Sequence, residues 1–162
     1  MRITNWTAML LLALAAPVQG GAPAKRVNLS SYVGKYPFDR VGGYRFLDHP
    51  AVKAAIARAV RDPAVRGTVR REDGAVNVPI VRVAGGRILA WGGAKRAEDT
   101  YNWAVVVAPD GSKPEVCVYN GENQDGAFRS SQWFEPGQPS IMKVGSCPSS
   151  AEDYPPKAIA AG

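Results

Sequence analysis

The sequence predicts an α+β domain: an antiparallel sheet of about five strands with one or two short helices on one face, preceded by a signal peptide. Three observations carry this expectation. An apolar leader opens the chain, helical periodicity is confined to residues 48–69, and from Ala75 onward the apolar period shortens to two.

The leader comes first. Met1 and Arg2 give a basic start, an apolar run covers residues 8–18, and the small-residue site Ala22-Pro23-Ala24 follows, the order required of a secretory signal. About 11 apolar residues fall short of the ~20 a bilayer-crossing helix needs, so residues 1–24 read as a cleaved leader. No stable membrane insertion is expected, and the protein is placed in the periplasm or outside the cell. Residues 25–148 then form a single α+β domain, and the proline-marked residues 149–162 a disordered tail.

Residues 25–45 look extended, with aromatic punctuation at Tyr32, Tyr36, Phe38 and Tyr44 and turn glycines at Gly34, Gly42 and Gly43, as in a strap laid across the surface. A helix follows: Asp48 can cap it, Pro50 suits its first turn, and Val52, Ala55, Ile56, Ala59 and Val60 recur on one face. Asp62-Pro63 repeats the signature and predicts a second short helix over residues 64–69, weakened by Gly67. Strands are expected at 76–83 and 87–91, joined through Gly85-Gly86, and at 103–108 and 115–120, joined through Pro109-Asp110-Gly111-Ser112. Residues 131–135 and 140–144 supply one or two more.

Charge and chemistry narrow the function. The chain has 20 Lys+Arg against 14 Asp+Glu, a formal charge of +6, of which the leader removes only Arg2. Acidic partners are favoured, but the basic residues are scattered and no aromatic stacking pattern accompanies them, so no nucleic-acid partner is expected. The single histidine, His49, sits in the first helical turn, where a surface or capping role fits better than catalysis. One histidine and two cysteines make no zinc site, and no phosphate-binding glycine loop opens a helix; no metal, cofactor or catalytic residue is assigned. Glu98, Asp99, Glu115, Glu122 and Asp125 are the available carboxylates for a wall hydrolase, nominated by composition alone. Export makes Cys117 and Cys147 a disulfide pair. The segment from Trp91 to Trp103 is longer than a hairpin needs and glycine-seeded, a candidate projecting loop at 92–102 with Lys95, Arg96, Glu98, Asp99 and Tyr101 as its binding residues. An ordinary polar connection with core tryptophans is the other reading.

Tyr32-Val33-Gly34-Lys35-Tyr36-Pro37-Phe38-Asp39, Phe46-Leu47-Asp48-His49-Pro50-Ala51-Val52 and Asn102-Trp103 with its Asp110-Gly111 turn resemble the inhibitor of vertebrate lysozyme family over roughly residues 30–148. The resemblance implies a periplasmic, non-enzymatic protein that plugs the cleft of a lysozyme-like or other wall-degrading enzyme with a loop. In that family two loop cysteines enclose a histidine that reaches the enzyme's carboxylates. The corresponding residues 93–99 hold neither; Lys95, Arg96, Glu98 and Asp99 stand there instead. Lys95 or Arg96 can meet carboxylates through charge-assisted bonds, whereas Glu98 and Asp99 are repelled unless turned aside. A basic inhibitor also gains no long-range attraction to a basic lysozyme. Both features favour another target or a lost activity. The Cys117–Cys147 pair is expected to staple the late strands and leave the loop unlocked. A different class of reading is an envelope structural or anionic-polymer-binding protein that uses the basic surface.

Overall fold

Pro79 decides how the sheet begins. Proline has no amide hydrogen for a ladder, and the stretch 76–83, expected as one strand, forms two, β1 (Val76–Asn77) and β2 (Val81–Val83). Both pair antiparallel with β3 (Arg87–Gly93), β1 at its end and β2 at its start. The turn from β2 to β3 needs positive φ at Gly85 (73°) and Gly86 (70°), as the glycine pair anticipated. β4 (Tyr101–Val107), β5 (Glu115–Asn120), β6 (Ser130–Phe134) and β7 (Ile141–Val144) complete a seven-stranded antiparallel sheet in the order β1-β3-β4-β5-β6-β7, with β2 also on β3. The expected α+β class holds, with more strands than the expected five. This computed structural model describes residues 27–69, 75–122, 124, 129–156; the expected signal peptide lies outside the described residues.

The first helix, α1, spans Pro50–Ala59 and the second, α2, Pro63–Val69. Val52, Ala55, Ile56 and Ala59 are the buried face of α1, the spacing read from the sequence. Its cap differs. His49, not Asp48, is the N-cap: Nδ1 accepts the Ala51 N–H at 3.2 Å. Asp48 instead pairs with Lys53, 3.0 Å away, because it is still part of a 3-10 turn and points along the helix. Burial lowers the His49 pKa below 6.5, which keeps Nδ1 free to accept.

Along β3 and β4 the side chains alternate between two cores. Ile88, Ala90, Trp103, Val105 and Val107 face the helices and meet Phe46, Leu47, Val52 and Ile56. The strap enters this core as well. Leu29 and Tyr32 are buried rather than laid across the surface, and the Tyr32 hydroxyl lies 2.8 Å from the Tyr44 carbonyl, while Tyr36 and Tyr44 stay exposed. Leu89, Trp91, Ala104, Val106, Cys117 and Tyr119 face the other way and meet Trp133, Cys147 and Tyr154. Residues 149–156, assigned in sequence to a disordered tail, therefore lie against the sheet: Tyr154 is 9% exposed and packs beside Trp133. Prolines end regular structure, but a buried phenol with ionic partners orders an irregular segment just as firmly.

Candidate functional site

The connection from β3 to β4 is shorter than the expected 92–102 loop. Gly92, Gly93, Tyr101 and Asn102 belong to the ladder, with Gly93 paired to Asn102 and Gly92 to Trp103. Glycine is required at both positions. A Cβ on Gly92 would meet the Trp103 ring at 2.4 Å, and one on Gly93 would meet the Glu98 Cβ at 2.7 Å. Trp91 and Trp103 are core residues, 8% and 3% exposed, on opposite faces of the sheet. Residues 94–100 are left to project.

These residues fold into two successive turns. The Ala97 N–H donates to the Ala94 carbonyl at 3.0 Å, the Thr100 and Tyr101 N–H groups both donate to the Ala97 carbonyl, and Ala94 N–H closes onto Tyr101. Lys95 and Arg96 are the central residues of the first turn, and both are exposed. Arg96 holds φ at 64°, a left-handed conformation that costs a non-glycine residue about 1 kcal/mol.

The sequence-predicted site residues separate into three groups. Lys95 and Arg96 stand at the tip, with Asp99 exposed in the second turn. Glu98 is turned aside: it lies over Gly93 with Oε2 buried and without a hydrogen-bond partner. Tyr101 points to the helix side of the sheet, where its hydroxyl donates to Glu122 at 2.5 Å, a bond that raises the phenol pKa. The tip therefore presents two cations with a Glu98 oxygen withdrawn, while Asp99 stays exposed beside them.

Asn102, read in the sequence only as part of the Asn102-Trp103 resemblance, holds the turn in place. It is 5% exposed; Nδ2 donates to the Glu98 carbonyl at 2.8 Å, and Oδ1 accepts the Cys147 N–H at 3.1 Å. Cys117 and Cys147 form the expected disulfide, with Cα atoms 5.7 Å apart. The expectation that this bond leaves the loop unlocked is thus corrected: the turn is tethered to it through one buried amide. An amide between Tyr101 and Trp103 in an apolar strand was the available signal, but its partner is 45 positions away.

At the far end of β5 a second cluster gathers on the same face. Glu115 pairs with Arg87 and, at 3.7 Å, with Lys143; the Tyr154 hydroxyl lies 2.7 Å from Arg87 and 3.1 Å from Glu115. Burial and then the Glu115 carboxylate drive the Tyr154 pKa far above its ordinary 10.0. Lys143 also sits 4.1 Å over the Trp133 ring. This cluster fastens the 149–156 segment. A β-strand rises ~3.4 Å per residue, so Glu115 lies about 17 Å from the end of β5 near the turn, beyond the ~9.5 Å that a glycosidase pair can span with Glu98 or Glu122. Asp125 lies outside the described residues. Two shallow depressions, of about 380 and 330 Å³, contain Asp153 and Glu135 respectively as their sole carboxylates. Among the described residues no group of three or more His, Cys, Asp or Glu side chains is placed to hold a metal, and no helix is long and apolar enough to cross a membrane.

The fold and site together define a disulfide-bonded α+β domain carrying a hydrogen-bonded turn with Lys95 and Arg96 exposed at its tip. Compared with protein-family models, curated proteins and solved structures, the chain matches none.

Proposed function

We propose that this chain is an exported, non-enzymatic binding protein, periplasmic or secreted, that occludes the cleft of a lysozyme-like or other cell-wall-degrading enzyme with its 94–100 turn. The observation that carries the reading is the tip itself. Lys95 and Arg96 are exposed on a turn closed by backbone hydrogen bonds, and the Glu98 carboxylate that would repel an acidic cleft is folded inward. A preordered turn loses little entropy on binding, and two cations meet a pair of catalytic carboxylates through charge-assisted bonds. The resemblance to the inhibitor of vertebrate lysozyme family supplies the target class, with lysine and arginine in place of the family's histidine. The +6 formal charge favours, as a second reading, attachment to an anionic envelope polymer.

Inhibition assays against a panel of purified lysozymes test the proposal. Stoichiometric inhibition is expected, weakened about 100-fold or more by Lys95→Ala/Arg96→Ala and only slightly by raised salt. Arg96→Gly relieves the left-handed backbone, so the same loss of binding is expected with stability unchanged or raised by up to about 1 kcal/mol. No inhibition at micromolar protein, with polymer binding that falls steeply with salt, would replace this reading by the second.

A further inference from the structure

The Cys117–Cys147 bond and the binding turn are separate features in the sequence and one mechanical unit in the fold. Cys117 sits in the middle of β5, and the covalent bond holds Cys147 down on the neighbouring strands. That position brings the Cys147 N–H to Asn102 Oδ1, and the other end of the same buried amide reaches the Glu98 carbonyl inside the turn. The turn also has a reason to open. One Glu98 carboxylate oxygen is buried without a partner, a cost that solvent exposure would remove. Asn102 has its backbone in the ladder, and the Cys147 N–H holds the far end of the side chain that opposes that release.

We infer that Asn102 is a positioning residue that couples formation of the Cys117–Cys147 bond to the ordering of the 94–100 turn, so that the turn becomes a rigid binding element only once the chain is oxidised. The inference deepens the function proposed above and rests on it for its biological meaning. In the oxidising step the two thiols surrender two protons and two electrons to a disulfide-bearing oxidant, which leaves as its dithiol while the S–S bond forms. A reduced chain still inside the cell would carry a loose turn with Glu98 free to swing out beside Lys95 and Arg96, and so would be a poor ligand for an acidic cleft. Oxidation then withdraws the acid and sets the cations. Both sulfurs are buried afterwards, at 0% and 3% residue exposure, which shields the bond from attack by outside thiolates.

Amide hydrogen exchange reads this without any target enzyme. The reporters are the Ala97, Thr100 and Tyr101 N–H groups of the turn, with Val105 in β4 as the core reference. The chain as exported is compared in five states: oxidised, reduced by a dithiol, oxidised Asn102→Ala, reduced Asn102→Ala, and oxidised Asn102→Asp. Reduction and Asn102→Ala are each expected to speed turn exchange about tenfold, with no further gain when combined, because both cut one path. Asn102→Asp keeps an acceptor for Cys147 but offers no donor to Glu98, so it should match Asn102→Ala. Val105 should stay within about twofold throughout. Multiplication of the two effects to about 100-fold, an unchanged turn on reduction, or equal acceleration of Val105 and the turn in any arm would overturn the inference. Failure to find an inhibited enzyme would not touch these rates, so the two proposals fall separately.

Discussion

The two faces of the sheet are closed by different means. On the helix face, α1, α2 and the strap lay Phe46, Leu47, Val52, Ile56 and Val69 on strand residues that are themselves apolar. On the other face the cover is irregular chain, and it is pinned: a disulfide at Cys147, the Arg87–Glu115–Lys143 ion pairs, and the Tyr154 hydroxyl between Arg87 and Glu115. A helix satisfies its own backbone and can hold a face by non-directional burial. Irregular chain gains less apolar burial for each residue it orders, so covalent and directional contacts offset the entropy. The 94–100 turn closes the β3–β4 hairpin, and Asn102 ties it to the pins of this second face.

Substitutions on the two faces sharpen or break this contrast. The largest effect is expected on the helix face: Phe46 is fully buried, and Phe46→Ala should cost about 3–5 kcal/mol in denaturant unfolding. A loss below about 1 kcal/mol would mean that the helix face is not the main apolar core. Next is the pinned face. Glu115→Ala leaves Arg87, Lys143 and the Tyr154 hydroxyl without their shared partner, and about 1–3 kcal/mol should be lost. The change should be local, with Tyr154 becoming accessible to a phenol reagent while Val105 amide exchange stays slow. If Tyr154 remains protected, apolar packing alone holds that segment and the contrast fails.

The smallest effect is a matter of pH. His49 has its pKa lowered from 6.5 by burial, so the unfolded chain binds the proton more readily than the folded one. Stability is therefore complete above about pH 6.5 and declines as the pH falls below it, through both the half-buried charge and loss of the Nδ1 acceptor for Ala51. His49→Asn keeps a cap without a titrating ring, and the melting temperature should then lose its slope between pH 6.5 and 5, a difference of a few tenths to about 1 kcal/mol. An unaltered slope would assign the acid sensitivity to the pinned face instead.

Fold class, both helices, the start of β3 at Arg87 and the whole of β5 were legible because they depend on period and turn chemistry, which are local; β3 runs on to Gly93 and β4 begins at Tyr101, each two residues further into the expected loop. Pro79 is instructive: its missing N–H was visible in the chain, yet the expected strand ran through it, since β-branched apolar residues flank it on both sides; the alternation changes phase between Ile80 and Val81. Asp48 was the reasonable cap by residue type. His49 took the role because a 3-10 turn displaced the helix start by one residue. Within the candidate site, exposure of Lys95 and Arg96 followed from the turn, while the inward fold of Glu98 did not, because it depends on the absence of a side chain at Gly93 across the hairpin.

By itself, then, the amino-acid sequence determined an α+β chain with its helices before its strands, a loop with charges of both signs between two tryptophans, and a cysteine pair able to bridge. Tertiary structure alone decided that residues 149–156 close the second face, that Tyr154 shares Glu115 with Arg87, and that Asn102 ties the turn to the disulfide. The physical reason is range. Periodicity and turn preference act over a few residues, whereas a buried amide or phenol is fixed by whichever distant backbone group satisfies it, and that choice exists only after the sheet has formed.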